Sequence, residues 1–160
     1  MESINKGLDL IGQFIVEKLW AVLHQEGHVA SGDLVNSLRY KVKEGGTGFE
    51  IVVIGKDYAE SVEKGLPPGI WVSPYDLADW IEAKGIATGE IEVKSLAFAI
   101  RQTIYDKGTI QFRKKKKGFI EVMIDENSKQ IFQMVLDLFT KEFRLSLTNT
   151  IKKHQQTFRS

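Results

Sequence analysis

Five groups of residues in this chain carry side chains whose type and spacing could do chemistry. His24 and His28 stand four apart, the separation that brings two imidazoles to one point on a helix, as in a zinc site. But the glutamate between them falls two positions after the first histidine, Gly27 would break the helix between the ligands, and no third ligand is recognisable. A solvated helix end is the favoured reading, and no metal is assigned. Gly45, Gly46 and Gly48 around Thr47 have the composition of a phosphate cradle, yet a strand pattern rather than a helix start follows them, which favours a hairpin turn. Asp57, Glu60 and Glu63 cluster within seven positions. Paired carboxylates do acid–base work, but no histidine or serine nucleophile stands near them, so a solvated face or a subunit contact is favoured. Trp71 and Tyr75 flank a proline-bearing turn, either as a binding patch or as packing residues. The strongest electrostatic feature is Arg113-Lys114-Lys115-Lys116-Lys117, five consecutive positive charges. Such a run suits phosphate contact, independent of base sequence and weakened by salt. No aromatic residue is interleaved to stack bases, and a solvated, self-repelling loop is the competing reading.

The elements that must position these groups follow from periodicity. Residues 4–26 read as an amphipathic helix, with Leu8, Ile11, Ile15, Leu19 and Val22 on one stripe. A polar turn at Ser31, Gly32 and Asp33 leads into a strand in which Leu38, Tyr40 and Val42 alternate with Ser37, Arg39, Lys41 and Lys43. The glycine-rich turn reverses it into a more apolar second strand over residues 49–54, both of whose faces are expected to be covered. A short helix follows from Asp57 and stops at Gly65. After Pro67-Pro68-Gly69, Ser73 and Pro74 open a helix over 75–84, and a further helix is expected over 93–107, ended by Gly108. Residues 109–112 read as extended. Residues 119–124 alternate again and read as a third strand. Asp125 and Ser128 are candidate caps of a last helix over about 127–153, and residues 152–160 are expected to form a flexible tail. The expected fold is α+β: a small antiparallel sheet of hairpin plus third strand, packed by an N-terminal helix, two middle helices and a long C-terminal helix.

Length and composition set the frame. A chain of 160 residues is expected to form one domain, and its 42% apolar content supports an ordered core. Net charge is +1, so charge gives no chain-wide signal for nucleic acid or an acidic substrate. With no cysteine, disulfides and thiolate chemistry are excluded. No secretory signal and no apolar run of membrane-spanning length is visible, so a soluble intracellular product without membrane contact is the expectation.

One ordered set of motifs extends these readings. Behind the amphipathic N-terminal helix come Ser31-Gly32-Asp33-Leu34 and Ser37-Leu38. The hairpin then closes on Gly55, Tyr58-Ala59 and Val62-Glu63-Lys64-Gly65. Further on stand Ala97-Phe98-Ala99-Ile100, Ile104, Gly108-Thr109 and Phe112. In order and spacing, over roughly residues 5–150, the chain resembles the tail-completion and neck (head–tail joining, tail-component) proteins of long-tailed bacteriophages. The resemblance implies a structural virion protein without catalysis or cofactor, forming an oligomeric ring, commonly of six or twelve copies, at the head–tail junction. Its partners would be other phage neck and tail proteins. It would be made in the host bacterial cytoplasm and end in the virion. On that reading Tyr58, Glu63, Trp71 and Phe112 are subunit-interface candidates. Arg113, Lys114, Lys115, Lys116 and Lys117 face packaged DNA without sequence preference. A nucleic-acid-binding regulator using the basic loop 113–117 is the alternative. A small hydrolase or metalloenzyme ranks last, for want of a convergent polar constellation.

Overall fold

The computed structural model describes residues 2–26, 32–46, 48–87 and 89–157. His28, Ser31 and Thr47, singled out above, lie outside the described residues, as does the tail beyond residue 157. The elements in chain order are α1 (Glu2–Gln25), α2 (Asp33–Ser37), β1 (Arg39–Gly45), β2 (Gly48–Ile54), α3 (Ala59–Lys64), α4 (Pro74–Ala83), α5 (Glu90–Lys107), α6 (Ile110–Lys114) and α7 (Phe119–Thr157). The fold is α+β, with the sheet reduced to one antiparallel hairpin in which Arg39 stands opposite Ile54 and Gly45 opposite Gly48.

The alternation in β1 does what its pattern predicts. Tyr40 and Val42 are half-buried, while Arg39, Lys41 and Lys43 are exposed. Tyr40 lies across α1 at Gly12, where an added Cβ would stand 2.3 Å from the Tyr40 ring, and its hydroxyl donates to Asp9 at 2.5 Å. In β2, Phe49 and Ile51 on one face and Val52 and Ile54 on the other are each partly covered.

Two apolar clusters form. The larger joins Leu19, Val22 and Leu23 of α1, Leu34 and Val35 of α2, and Phe119 and Met123 of α7. The smaller joins Leu77 and Ile81 of α4 to Val93 and Ala97 of α5. Helix α4 is opened as its sequence predicts: the Ser73 hydroxyl accepts from the Asp76 N–H at 3.3 Å, with Pro74 in the first turn.

Helix α7 departs most from expectation. Residues 119–124 are not a third strand but its first turns. Phe119, Val122 and Met123 recur at helical spacing and enter the larger cluster, which holds the segment helical despite its β-branched residues. Asp125 and Ser128 therefore lie inside the helix and cap nothing. Residues 109–112 are likewise not extended. Thr109 caps α6, its hydroxyl accepting from the Phe112 N–H at 3.4 Å. The polar turn before β1 has also become α2, because Leu34 and Val35 reach the core only if the chain winds.

Helices α1 and α7 run antiparallel. Gly7 faces Leu138 so closely that an added Cβ would stand 2.3 Å from its side chain, and the C-terminal end of α1 meets the start of α7. By that register α1 begins level with about residue 143 of α7, and every residue from 143 to 153 is exposed. The part of α7 beyond α1 is about 20 Å long at 1.5 Å per residue.

Truncating Leu23, which has no exposed surface, to alanine should lower the unfolding free energy by about 2–5 kcal/mol, as read by chemical denaturation. A loss below about 1 kcal/mol would mean that the larger cluster does not govern folding.

Candidate functional site

The predicted interface residues fall at three places. Tyr58 sits at the N-cap of α3, 45% exposed. Burial of the rest of its ring raises its hydroxyl pKa, the Asp33 charge adds to the rise, and a backbone hydrogen bond at Leu34 opposes it. Trp71 lies against α5. Its indole stacks on the Tyr105 ring with centroids 4.1 Å apart, and the Arg101 guanidinium stands 4.3 Å from its centre. About half of Trp71 is exposed. Tyr75, the other member of the aromatic pair, is 80% exposed.

Glu63, Phe112 and the basic run meet at the third place, where α3, α6 and the start of α7 converge. The Glu63 carboxylate accepts the N–H of Ile120 at 2.8 Å and of Glu121 at 3.2 Å. Those amides have no partner within the helix and carry the positive end of its dipole, so a carboxylate there is doubly favourable. Gly118 makes the approach possible: a Cβ on it would stand 2.2 Å from the Glu63 carboxyl carbon and 2.4 Å from the Glu63 carbonyl oxygen. Gln111 ties the junction together. Its side-chain amide donates to the carbonyls of Lys117 at 3.0 Å, Lys116 at 3.1 Å and Glu63 at 3.3 Å. The Thr109 hydroxyl accepts from the Leu66 N–H at 3.0 Å, and the Leu66 carbonyl accepts from the Thr109 N–H at 2.9 Å. Phe112 covers one side of this junction, 42% exposed.

The five cations of the run are not equivalent. Arg113 and Lys114 lie in the last turn of α6, Lys115 is left-handed with φ of 47°, and Lys117 turns back onto α7. The Lys117 ammonium bonds Asp125 and stands 3.9 Å from Glu121. Asp125 first, and Glu121 after it, hold the ammonium protonated above the ordinary lysine range. Arg113, Lys114, Lys115 and Lys116 form no ion pair among the described residues. The basic patch is thus four charges rather than five.

Two of the remaining chemical candidates, Glu60 and His24, find structural partners. Glu60 pairs with Lys64 at 2.7 Å, which lowers the Glu60 pKa. The His24 ring lies against Trp20, and its Nδ1 donates to the Trp20 carbonyl at 2.8 Å. Among the described residues no group of three or more histidine or carboxylate side chains stands close enough to share a metal. No described helix is long and apolar enough to cross a membrane.

Sequence reasoning did not find Gln111 and Thr109 as junction residues, or Arg101 as the partner of Trp71. Thr109 carried a usable signal, a hydroxyl residue directly after a helix-ending glycine. Nothing local marks Gln111, whose partners are 5, 6 and 48 residues away. Comparison with protein-family models, with curated proteins and with solved structures finds no match.

Two predictions follow from this geometry. Replacing Glu63 with alanine uncovers the start of α7 and should cost about 0.5–2 kcal/mol, with Glu63→Gln losing less; an alanine variant as stable as wild type would mean that the cap contributes nothing. Asp125→Asn should return the Lys117 ammonium toward the ordinary lysine value, read by side-chain NMR titration. A raised folded-state pKa stabilises fully below the unfolded value and fades as pH rises through the folded one. The variant should therefore differ from wild type below that window and converge with it above.

Proposed function

We propose that the chain is a structural protein of a tailed-phage neck or tail, one of several copies in a ring at the head–tail junction. The observation that carries this reading is surface left uncovered. The chain exposes 11489 Å², whereas a compact monomer of its 18.1 kDa mass exposes about 8,100 Å². The difference, roughly 3,400 Å², is about four times what a standard interface takes from one partner. Both outer edges of the two-stranded sheet are unpaired among the described residues, and such edges invite a neighbour's strand.

The ordered motif set supports the phage assignment and, with it, six or twelve copies, other neck and tail proteins as partners, and a place in the virion. Tyr58, Trp71 and Phe112 keep exposed aromatic surface for a neighbouring subunit. The role of Glu63 is indirect on this reading: its carboxylate fixes the start of α7 while its helix presents Tyr58. Arg113, Lys114, Lys115 and Lys116 would face the DNA passage, where repetition around a ring multiplies a weak contact.

The same four cations favour a second reading, a nucleic-acid-binding regulator. Negative-stain imaging of the chain co-expressed with a tail partner separates the two. Rings support the neck assignment. A monomer or dimer that retards DNA at moderate salt, and makes no ring, overturns it. In a ring, changing Lys114, Lys115 and Lys116 to glutamine should leave assembly intact and flatten the salt dependence of DNA retention by up to about three units of logarithmic slope for each subunit that touches DNA.

A further inference from the structure

Helix α7 carries an apolar stripe that its own chain leaves largely uncovered. Phe132, Leu136, Phe139, Phe143, Leu147 and Ile151 recur at steps of four and three, with exposures of 67, 48, 42, 65, 46 and 55%. Among the described residues only Phe139 has a ring partner, Phe49 of β2 at 6.5 Å. The stripe is about 28 Å long, and a run of this spacing is the pattern by which one helix packs along another.

Charge along α7 selects the occupant. Its first half carries Glu121, Asp125, Glu126 and Asp137, the first two of which face Lys117, against Lys129 alone among the helix's own bases before residue 141. After residue 142 it carries Arg144, Lys152 and Lys153 and no acid. A parallel neighbour would set like charge on like. An antiparallel copy of the same helix sets the basic end on the acidic beginning at both ends of the contact. It also opposes the two helix dipoles.

We propose that the α7 stripe is the interface between two copies of this chain, packed antiparallel about a two-fold axis near residues 139 and 140. In that register Phe132 meets Leu147 of the second copy and Leu136 meets Phe143. Each contact then occurs twice, as a closed two-fold interface requires. The surface excess is large enough to supply it. The inference does not rest on the neck assignment, because it is measured on the isolated chain.

Sedimentation velocity on the full chain at about 100 μM, a concentration chosen to populate dissociation constants in the micromolar range, should give a dimer or a larger assembly with an even number of chains. Phe132→Asp with Phe143→Asp, both at exposed positions, should give a monomer with unchanged far-ultraviolet helix signal. Since the chain has no cysteine, direction can be read by crosslinking. A mixture of Lys129→Cys and Thr150→Cys chains should form the mixed disulfide. A monomeric wild type, an assembly indifferent to the Phe132 and Phe143 changes, or a disulfide of Thr150→Cys with itself in place of the mixed one would each overturn the proposal.

Discussion

The Glu63 carboxylate at the start of α7 is the constraint on which the rest of the structure depends. A helix that begins next to a glycine has no side chain of its own at that end to satisfy its first amides. Here the acceptor comes from a residue 57 positions earlier, on α3. That contact fixes where α7 begins and where α3 lies against it. It also sets the direction of the chain from α6. Once α7 starts at Phe119, that ring and Met123 enter the same cluster as Leu23 and Leu34. The hairpin is then held between α1 and the middle of α7, through Tyr40 at Gly12 and Phe49 at Phe139.

Around this contact the chain uses glycine where backbones must come close. Gly65 and Gly108 both have positive φ, and a Cβ on either would enter the backbone of the other segment: 2.5 Å from the Phe112 nitrogen in one case, 2.6 Å from the Leu66 carbonyl oxygen in the other. The paired hydrogen bonds of Leu66 and Thr109 fit only because of that closeness. The helix pair α4 and α5, with its separate cluster around Ile81, leaves and rejoins the chain through this junction.

What was legible in the sequence was what neighbouring residues decide. The stripe of Leu8, Ile11, Leu19 and Val22 gave α1, the alternation around Tyr40 gave β1, and the glycines at 45, 46 and 48 gave the reversal. Ser73 with Pro74 opened α4, and Gly108 closed α5. What was not legible was decided at a distance. Residues 119–124 have the alternation and branching of a strand, and only the Glu63 acceptor and the apolar cluster beneath Phe119 make them helix. The basic run read as five equal charges, because Asp125, which removes Lys117 from the set, becomes its neighbour only once that helix has formed. Asp125 itself read as a cap for the same reason.

The part of α7 beyond α1 has a thermodynamic character that its exposure alone does not convey. An isolated helix of about a dozen residues is marginal in water, because its first turn fixes several dihedral angles for one hydrogen bond. This segment never faces that nucleation step. The docked turns from Phe119 to about residue 142 are the nucleus, and each residue after them only propagates it, at near-zero free energy per residue. Whatever settles on Phe143, Leu147 and Ile151 therefore meets a rod already formed, and loses little of its binding energy to ordering a coil.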